Sequence, residues 1–225
     1  MNTVNKTSRR KPFWMVTGCV VVAALMIAAT VYGPQLLGLI KLSKQIDQIS
    51  AENTRLGGPW PRNSEACIFC HGIEGNARAQ NYPRLAGQPE AYLKKQLQAF
   101  VSGERTDPTM TSLALSMSDA ELQGLAAHFA KMKPLPNSTF QGNPAQVARG
   151  EALAKANNCA ACHGAQLEGK DAFPRLAGQG HVYVQDQLTR FKSGARRDAT
   201  GAMPAIVATL SPQDIDDLAQ FIASQ

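Results

Sequence analysis

The chain has 225 residues, 44% of them apolar, with 18 Gly and 13 Pro, a composition that excludes a disordered or collagen-like polymer and suits one domain or two small ones. Aromatic residues make up only 6%, so any core rests on aliphatic side chains or on something the chain does not encode. The net charge of +6 is concentrated at the start: residues 1–40 carry Lys6, Arg9, Arg10 and Lys11 and no acid, while the other 185 residues hold 19 basic and 17 acidic side chains. That near-neutral remainder excludes a nucleic-acid footprint, which needs a basic face on the folded part.

Phe13 to Tyr32 is an uncharged run of 20 residues, enough to cross the ~30 Å apolar layer of a bilayer as a helix. The four cations before it are a positive-inside flank, so the sequence predicts a cytoplasmic tip and an external remainder. The run exceeds the ~7–15 residues of a cleavable signal's apolar region, and apolar residues resume after Pro34, which favours an uncleaved signal-anchor over residues 1–40. Val16-Thr17-Gly18-Cys19 has the look of a lipoprotein processing site, but the apolar stretch continues well beyond it, and a small thiol within the membrane helix is the simpler reading of Cys19. Leu39, Leu42, Ile46, Ile49, Asn53 and Leu56 then recur at spacings of three and four, predicting an amphipathic stalk helix over residues 41–58. Such a stalk either lies on its own domain or pairs with a second copy. Gly57, Gly58, Pro59 and Pro61 are expected to end it.

The rest is one unit written twice. Cys67-Ile-Phe-Cys70-His71-Gly72 returns as Cys159-Ala-Ala-Cys162-His163-Gly164, and Tyr82-Pro-Arg-Leu-Ala-Gly-Gln88 as Phe173-Pro-Arg-Leu-Ala-Gly-Gln179. Tyr92, Gln96, Leu97, Phe100, Gly103, Arg105 and Asp107 reappear 91 positions later as Tyr183, Gln187, Leu188, Phe191, Gly194, Arg196 and Asp198. The apolar positions fall at helical spacing and a glycine closes each segment. Ser118 with Glu121, and Ser211 with Asp214, predict capping boxes that open a final helix in each unit. Strand alternation is missing throughout, and the proline-rich residues 134–144 read as a linker. The prediction is an all-α chain: two helical lobes, 59–136 and 142–225, after an N-terminal transmembrane helix.

Cys-x-x-Cys-His is the attachment signature of c-type haem. Two thiols one helical turn apart can form thioethers with the two vinyl groups, and the next residue offers its imidazole to the iron. A zinc site, a thioredoxin-like pair and simple disulfides compete. However, 88 residues separate Cys70 from Cys159 where paired zinc ligands lie ~15–20 apart, the surroundings are helical rather than βαβ, and His-Gly follows both pairs. Two covalently attached haem c groups are therefore expected on Cys67, Cys70, Cys159 and Cys162, with His71 and His163 as axial ligands. Met110 and Met203 each stand eight residues before the capping serine, which selects them as the opposite ligands. Met117 aligns with Leu210, and Met132 falls after the last helix of its unit. His128, which aligns with Phe221, reads as a core or rim imidazole, and His181, which aligns with Glu90, as a solvated loop residue. The run Arg196-Arg197-Asp198 is either a solvated face or, since Arg105 and Arg196 recur together, a counter-charge for propionates.

These ordered motifs, over about residues 64–225, resemble the dihaem c4-type cytochromes, two class I cytochrome c lobes in one chain. The resemblance implies two small helical bundles round their haems and an electron-transfer protein rather than an enzyme. It implies haem domains in the periplasm, and with the anchor a single-pass protein of the bacterial inner membrane. Electrons would pass from a cytochrome bc1-type quinol-oxidising complex towards a terminal oxidase such as the cbb3 type. It also implies that the carbonyls of Pro83 and Pro174 hold the ring N–H of the axial imidazoles. Lobe one departs from the pattern in lacking the opening helix that lobe two keeps at 147–153, and in having His128 where an aromatic is customary. The alternatives are a haem subunit fixed in a dehydrogenase or oxidase complex, and a dihaem peroxidase-like enzyme, which would need one open iron.

Overall fold

The computed structural model describes residues 11–55, 63–198 and 200–225. The chain separates into two units, residues 1–59 and 60–225. In the first, the expected anchor and stalk run together as one helix, α1 (Lys11–Arg55), which continues through Pro34. At 1.5 Å per residue its 45 residues extend ~68 Å, more than twice the apolar thickness of a bilayer. Val16–Gln48 is long and apolar enough to cross a membrane. Leu39, Leu42 and Ile46 of the amphipathic stripe are exposed. Leu56 and the Gly57–Pro61 stop signal lie outside the described residues.

The second unit is helical and duplicated. Its first half runs through a 3₁₀ turn, Asn63–Cys67, α2 (Ile68–His71), a second 3₁₀ turn, Ile73–Gly75, then α3 (Glu90–Ser102), α4 (Pro108–Leu115) and α5 (Asp119–Ala130). The second half comprises α6 (Pro144–Ala156), α7 (Ala160–His163), α8 (His181–Ser193), α9 (Ala202–Val207) and α10 (Pro212–Ala223). An isolated bridge between Lys170 and Phe173 is the β pairing among the described residues.

Sequence and geometry agree closely in the long helices. Leu93, Leu97 and Phe100 turn one face of α3 inward, as Val184, Leu188 and Phe191 do on α8. Both helices stop at a left-handed glycine, Gly103 (φ 76°) and Gly194 (φ 75°), a conformation that costs other residues strain. Both expected capping boxes are formed, Ser118 with Glu121 and Ser211 with Asp214.

The halves differ in their cores. In the second, α10 packs on α6 and α8, and Ala154, Leu188, Phe191, Val207, Ile215, Leu218 and Ile222 form a contiguous buried cluster. Where α6 crosses α10, a side chain on Gly150 would stand 2.0 Å from the Asp217 carbonyl, so the two backbones touch there. In the first half the described residues begin at the short turn Asn63–Cys67, and their buried cluster comprises Leu93, Leu125, Ala126 and Phe129, with Leu85 and Leu97 packed against it. At ~1.5–3 kcal/mol for each large apolar side chain buried, the described residues of lobe one contribute less apolar packing than those of lobe two.

The linker is fastened to lobe one. Asn76 donates to the Lys133 carbonyl and accepts from the Leu135 amide, and the Arg84 guanidinium donates to the carbonyls of Leu135 and Pro136. Gln80 exchanges hydrogen bonds with Asn137 and, on the same side chain, accepts from the His181 amide at the start of α8. His181 is therefore no solvated loop residue. It opens α8, stacks on Phe140 of the linker at 5.4 Å and pairs with Asp216 at 2.8 Å.

Candidate haem-attachment sites

Each Cys-x-x-Cys-His segment lies on a single helical turn. Cys67 immediately precedes α2 and Cys70 lies within it; Cys159 and Cys162 stand in the same relation to α7. The spacing puts both sulfurs of a pair on one side of the turn. None of the five cysteines, Cys19 included, is in a disulfide, and burial raises the pKa of Cys67 and Cys159. Gly72 (φ 74°) and Gly164 (φ 88°) then reverse the chain; a side chain on Gly72 would meet the Asn76 carbonyl at 2.3 Å. Among the described residues no group of three or more His, Cys, Asp or Glu is placed to hold a metal ion, so the two cysteine pairs do not converge on a zinc site.

His71 and His163 are both buried. Nδ1 of His71 lies 2.8 Å from the Pro83 carbonyl, and Nδ1 of His163 lies 2.8 Å from that of Pro174. A carbonyl can only accept, so Nδ1 carries the proton and Nε2 keeps its lone pair. Burial lowers the pKa of both imidazoles, against the pull of these carbonyls, and the nearby Arg105 lowers that of His71 further while Asp107 raises it. Each histidine is thus a neutral donor with a single nitrogen available. Its ring meets an aromatic edge-on, Tyr82 in lobe one and Phe173 in lobe two, at 6.3 Å in both.

Met110 is the third residue of α4 and Met203 the second of α9; both are half-buried, and Met203 packs against the lobe-two core. Met117 and Met132 pack instead against the lobe-one core, the ordinary gap-filling use of methionine. His128 is half-buried on α5, edge-on to Phe129 at 4.9 Å.

Between the lobes lies a polar cluster whose members all recur in the repeat but whose joint role sequence reasoning missed. Arg105 donates to Gln96 of its own lobe and to Tyr183 and Gln187 of the other. Arg196 mirrors it, donating to Gln187, Tyr92 and Gln96. Each guanidinium also lies over a phenylalanine of its own lobe, Phe100 at 4.7 Å and Phe191 at 4.6 Å. Arg196 is 8% exposed, so it is not part of a solvated face. Burial pushes the Tyr183 phenol up, but the two guanidiniums overcome this and leave its pKa below the ordinary value. Among the described residues no carboxylate hydrogen-bonds either cation. A pair of cations solvated by amides and phenols alone suits an added acidic group, and haem with its two propionates fits that donor set.

Neutral buried imidazoles, each fixed by a carbonyl directly after a two-thiol turn, define a c-type cytochrome with two attachment sites. The profile described as "Cytochrome c" matches residues 147–225. The chain belongs to the cytochrome c4 family: it is 40% identical over 167 residues to cytochrome c4 of Pseudomonas aeruginosa, covering 69% of this chain and 82% of that protein. It is also 34% identical over 175 residues to the "thiosulfate dehydrogenase electron acceptor" of Thiomonas intermedia, covering 73% of this chain and 81% of that one. Among solved structures, reduced recombinant cytochrome c4 from Pseudomonas stutzeri superposes with a TM-score of 0.66 at 34% identity, over 72% of this chain and 94% of that chain. Members of the family are electron-transfer proteins, and the cytochrome c fold implies covalently attached haem c.

Proposed function

We propose that the chain is a membrane-tethered relay holding two haem c groups, the first on Cys67, Cys70, His71 and Met110, the second on Cys159, Cys162, His163 and Met203. It passes single electrons outside the cytoplasmic membrane, in the periplasm, from a cytochrome bc1-type quinol-oxidising complex to a terminal oxidase such as the cbb3 type. The single observation that carries the reading is the pair of Nδ1–H bonds to Pro83 and Pro174, which leaves one equivalent nitrogen donor in each lobe.

Bound haem supplies a one-electron iron couple. The residues' work would be to keep it to that: His71 with Met110, and His163 with Met203, would hold the iron and leave no position for substrate, and a thioether ligand raises the potential. Arg105 and Arg196 answer the propionates at the lobe interface. The apolar helix α1 is retained as the anchor.

The test is a spectroelectrochemical titration of the detergent-solubilised protein with a haem count. Two haems per chain are expected, with Met110→Ala and Met203→Ala each lowering the potential of one haem. Fewer than two haems, or rapid cyanide binding to the intact protein, would falsify the reading. N-terminal sequencing of the mature protein checks the retained anchor.

A second reading has its own support. The likeness to two proteins named as thiosulfate dehydrogenase electron acceptors favours a periplasmic dehydrogenase as donor. Co-purification of this chain with a dehydrogenase rather than with a quinol-oxidising complex decides for it.

A further inference from the structure

Two aspartates reach the backbone of the methionines by different routes. In lobe one Asp107 is the N-cap of α4, and its Oδ1 accepts from the amides of Thr109 at 3.0 Å and Met110 at 2.9 Å. In lobe two the chain carries two extra residues between the equivalent Asp198 and Met203. There the N-cap position belongs to Gly201, which offers no side-chain acceptor. Asp198 lies outside the helix altogether, yet it still meets the same partner: Oδ1 accepts from the Thr200 amide at 2.9 Å and Oδ2 from the Met203 amide at 3.0 Å. In lobe two the carboxylate therefore reaches the methionine amide without being the helix cap. What survives the change of loop length is the aspartate–methionine pair.

The physical need is plain. Methionine is unbranched with three rotatable bonds, so a thioether is held in place largely by its backbone. An amide fixed by a carboxylate sets where the side chain departs.

We propose that Asp107 and Asp198 are positioning residues for the axial sulfurs, each pinning the amide of its methionine so that the thioether stays on the iron. The proposal rests on the ligand assignment above. The test uses the full haem-loaded chain and reads the ferric sulfur-to-iron charge-transfer band together with both reduction potentials. Asp107→Ala loses one haem's share of the band and lowers that haem's potential, leaving the other unchanged. Asp107→Asn, which keeps the Oδ1 acceptor but not the charge, restores the band. Asn143→Ala is the control, because Asn143 caps α6 in the same way, accepting from Ala145 and Gln146, on a helix that carries no ligand. It lowers thermal stability without moving band or potentials. Asp198→Ala reads the equivalent bond on the other haem, should Asp107→Ala not accumulate. An Asp107→Ala protein with a full band and unchanged potentials overturns the proposal. An intact band in Met110→Ala overturns the ligand assignment itself, and this proposal with it.

Discussion

At the scale of single residues, the two sites depend on donors made selective by their neighbours. An exposed histidine offers two nitrogens and titrates near neutrality, whereas His71 and His163 are buried, neutral and committed at Nδ1. The place of each histidine directly after a two-thiol turn was legible because Cys-x-x-Cys-His is a short-range pattern that the duplication repeats. Arg196 was not legible as a buried group. Its local context, Arg-Arg-Asp, reads as surface, and only the approach of Tyr92 and Gln96, about a hundred residues earlier in the chain, covers it. A unit charge ~10 Å from a redox centre at an effective dielectric of ~20 shifts a potential by tens of millivolts. Removing a cation favours the more positive, oxidised iron. Arg105→Gln is therefore expected to lower both potentials, that of the His71 haem more, and Arg105→Lys to recover most of the change. Potentials unmoved by Arg105→Gln would mean that the cation does not act on the redox centres.

At the scale of helices, the crossing of α6 and α10 combines backbone contact at Gly150 with a charged clasp. Arg149 binds Asp217 through Nε at 2.6 Å and Nη2 at 2.9 Å, and Gln213 adds a third donor at 3.0 Å. The Arg149 hydrogen bond, opposed by burial, holds the Asp217 carboxyl below its ordinary pKa. A folded value below the unfolded ~3.9 means that this stabilisation is complete above about pH 4 and fades as pH falls through the folded value. Asp217→Asn should lower the melting temperature at pH 7, and the gap from the parent should close in acid. A gap that stays constant down to pH 3 would remove the clasp from the account. Sequence reasoning captured helix identities and caps here because these follow from periodicity and from serine three residues before an acid. It divided α1 at residues 40–41, where the helix runs on, because a composition change from membrane-like to amphipathic does not interrupt backbone hydrogen bonding. It also left His181 to solvent, because Asp216 and Phe140, which enclose it, are 35 and 41 residues away.

At the scale of the molecule, the lobes meet through reciprocal pairs that follow the duplication. The buried Gln88 donates to the Arg175 carbonyl at 2.7 Å and accepts from the Arg175 amide at 2.9 Å. Its twin Gln179 does the same with Arg84, at 2.6 Å and 2.9 Å. Each glutamine completes the backbone of the opposite lobe, so neither half can leave without exposing or orphaning polar groups. Each buried group left unpaired costs ~1–3 kcal/mol. The double variant Gln88→Ala, Gln179→Ala should therefore split thermal unfolding of the haem-loaded protein into two calorimetric transitions. One unshifted transition would show that the lobes are coupled by other means. None of this pairing was visible in the sequence, where the repeated glutamines mark equivalence but not exchange.

The fastening of residues 133–139 onto Asn76, Arg84 and Gln80 has a consequence for how such a carrier operates. A slack tether would let the halves swing, and every hop between them would wait for a chance encounter. With the strap sewn down along one flank, the separation of two groups held one in each lobe would be set at folding. The rate of a hop between them would then follow driving force and reorganisation energy rather than the chance of an encounter between the halves.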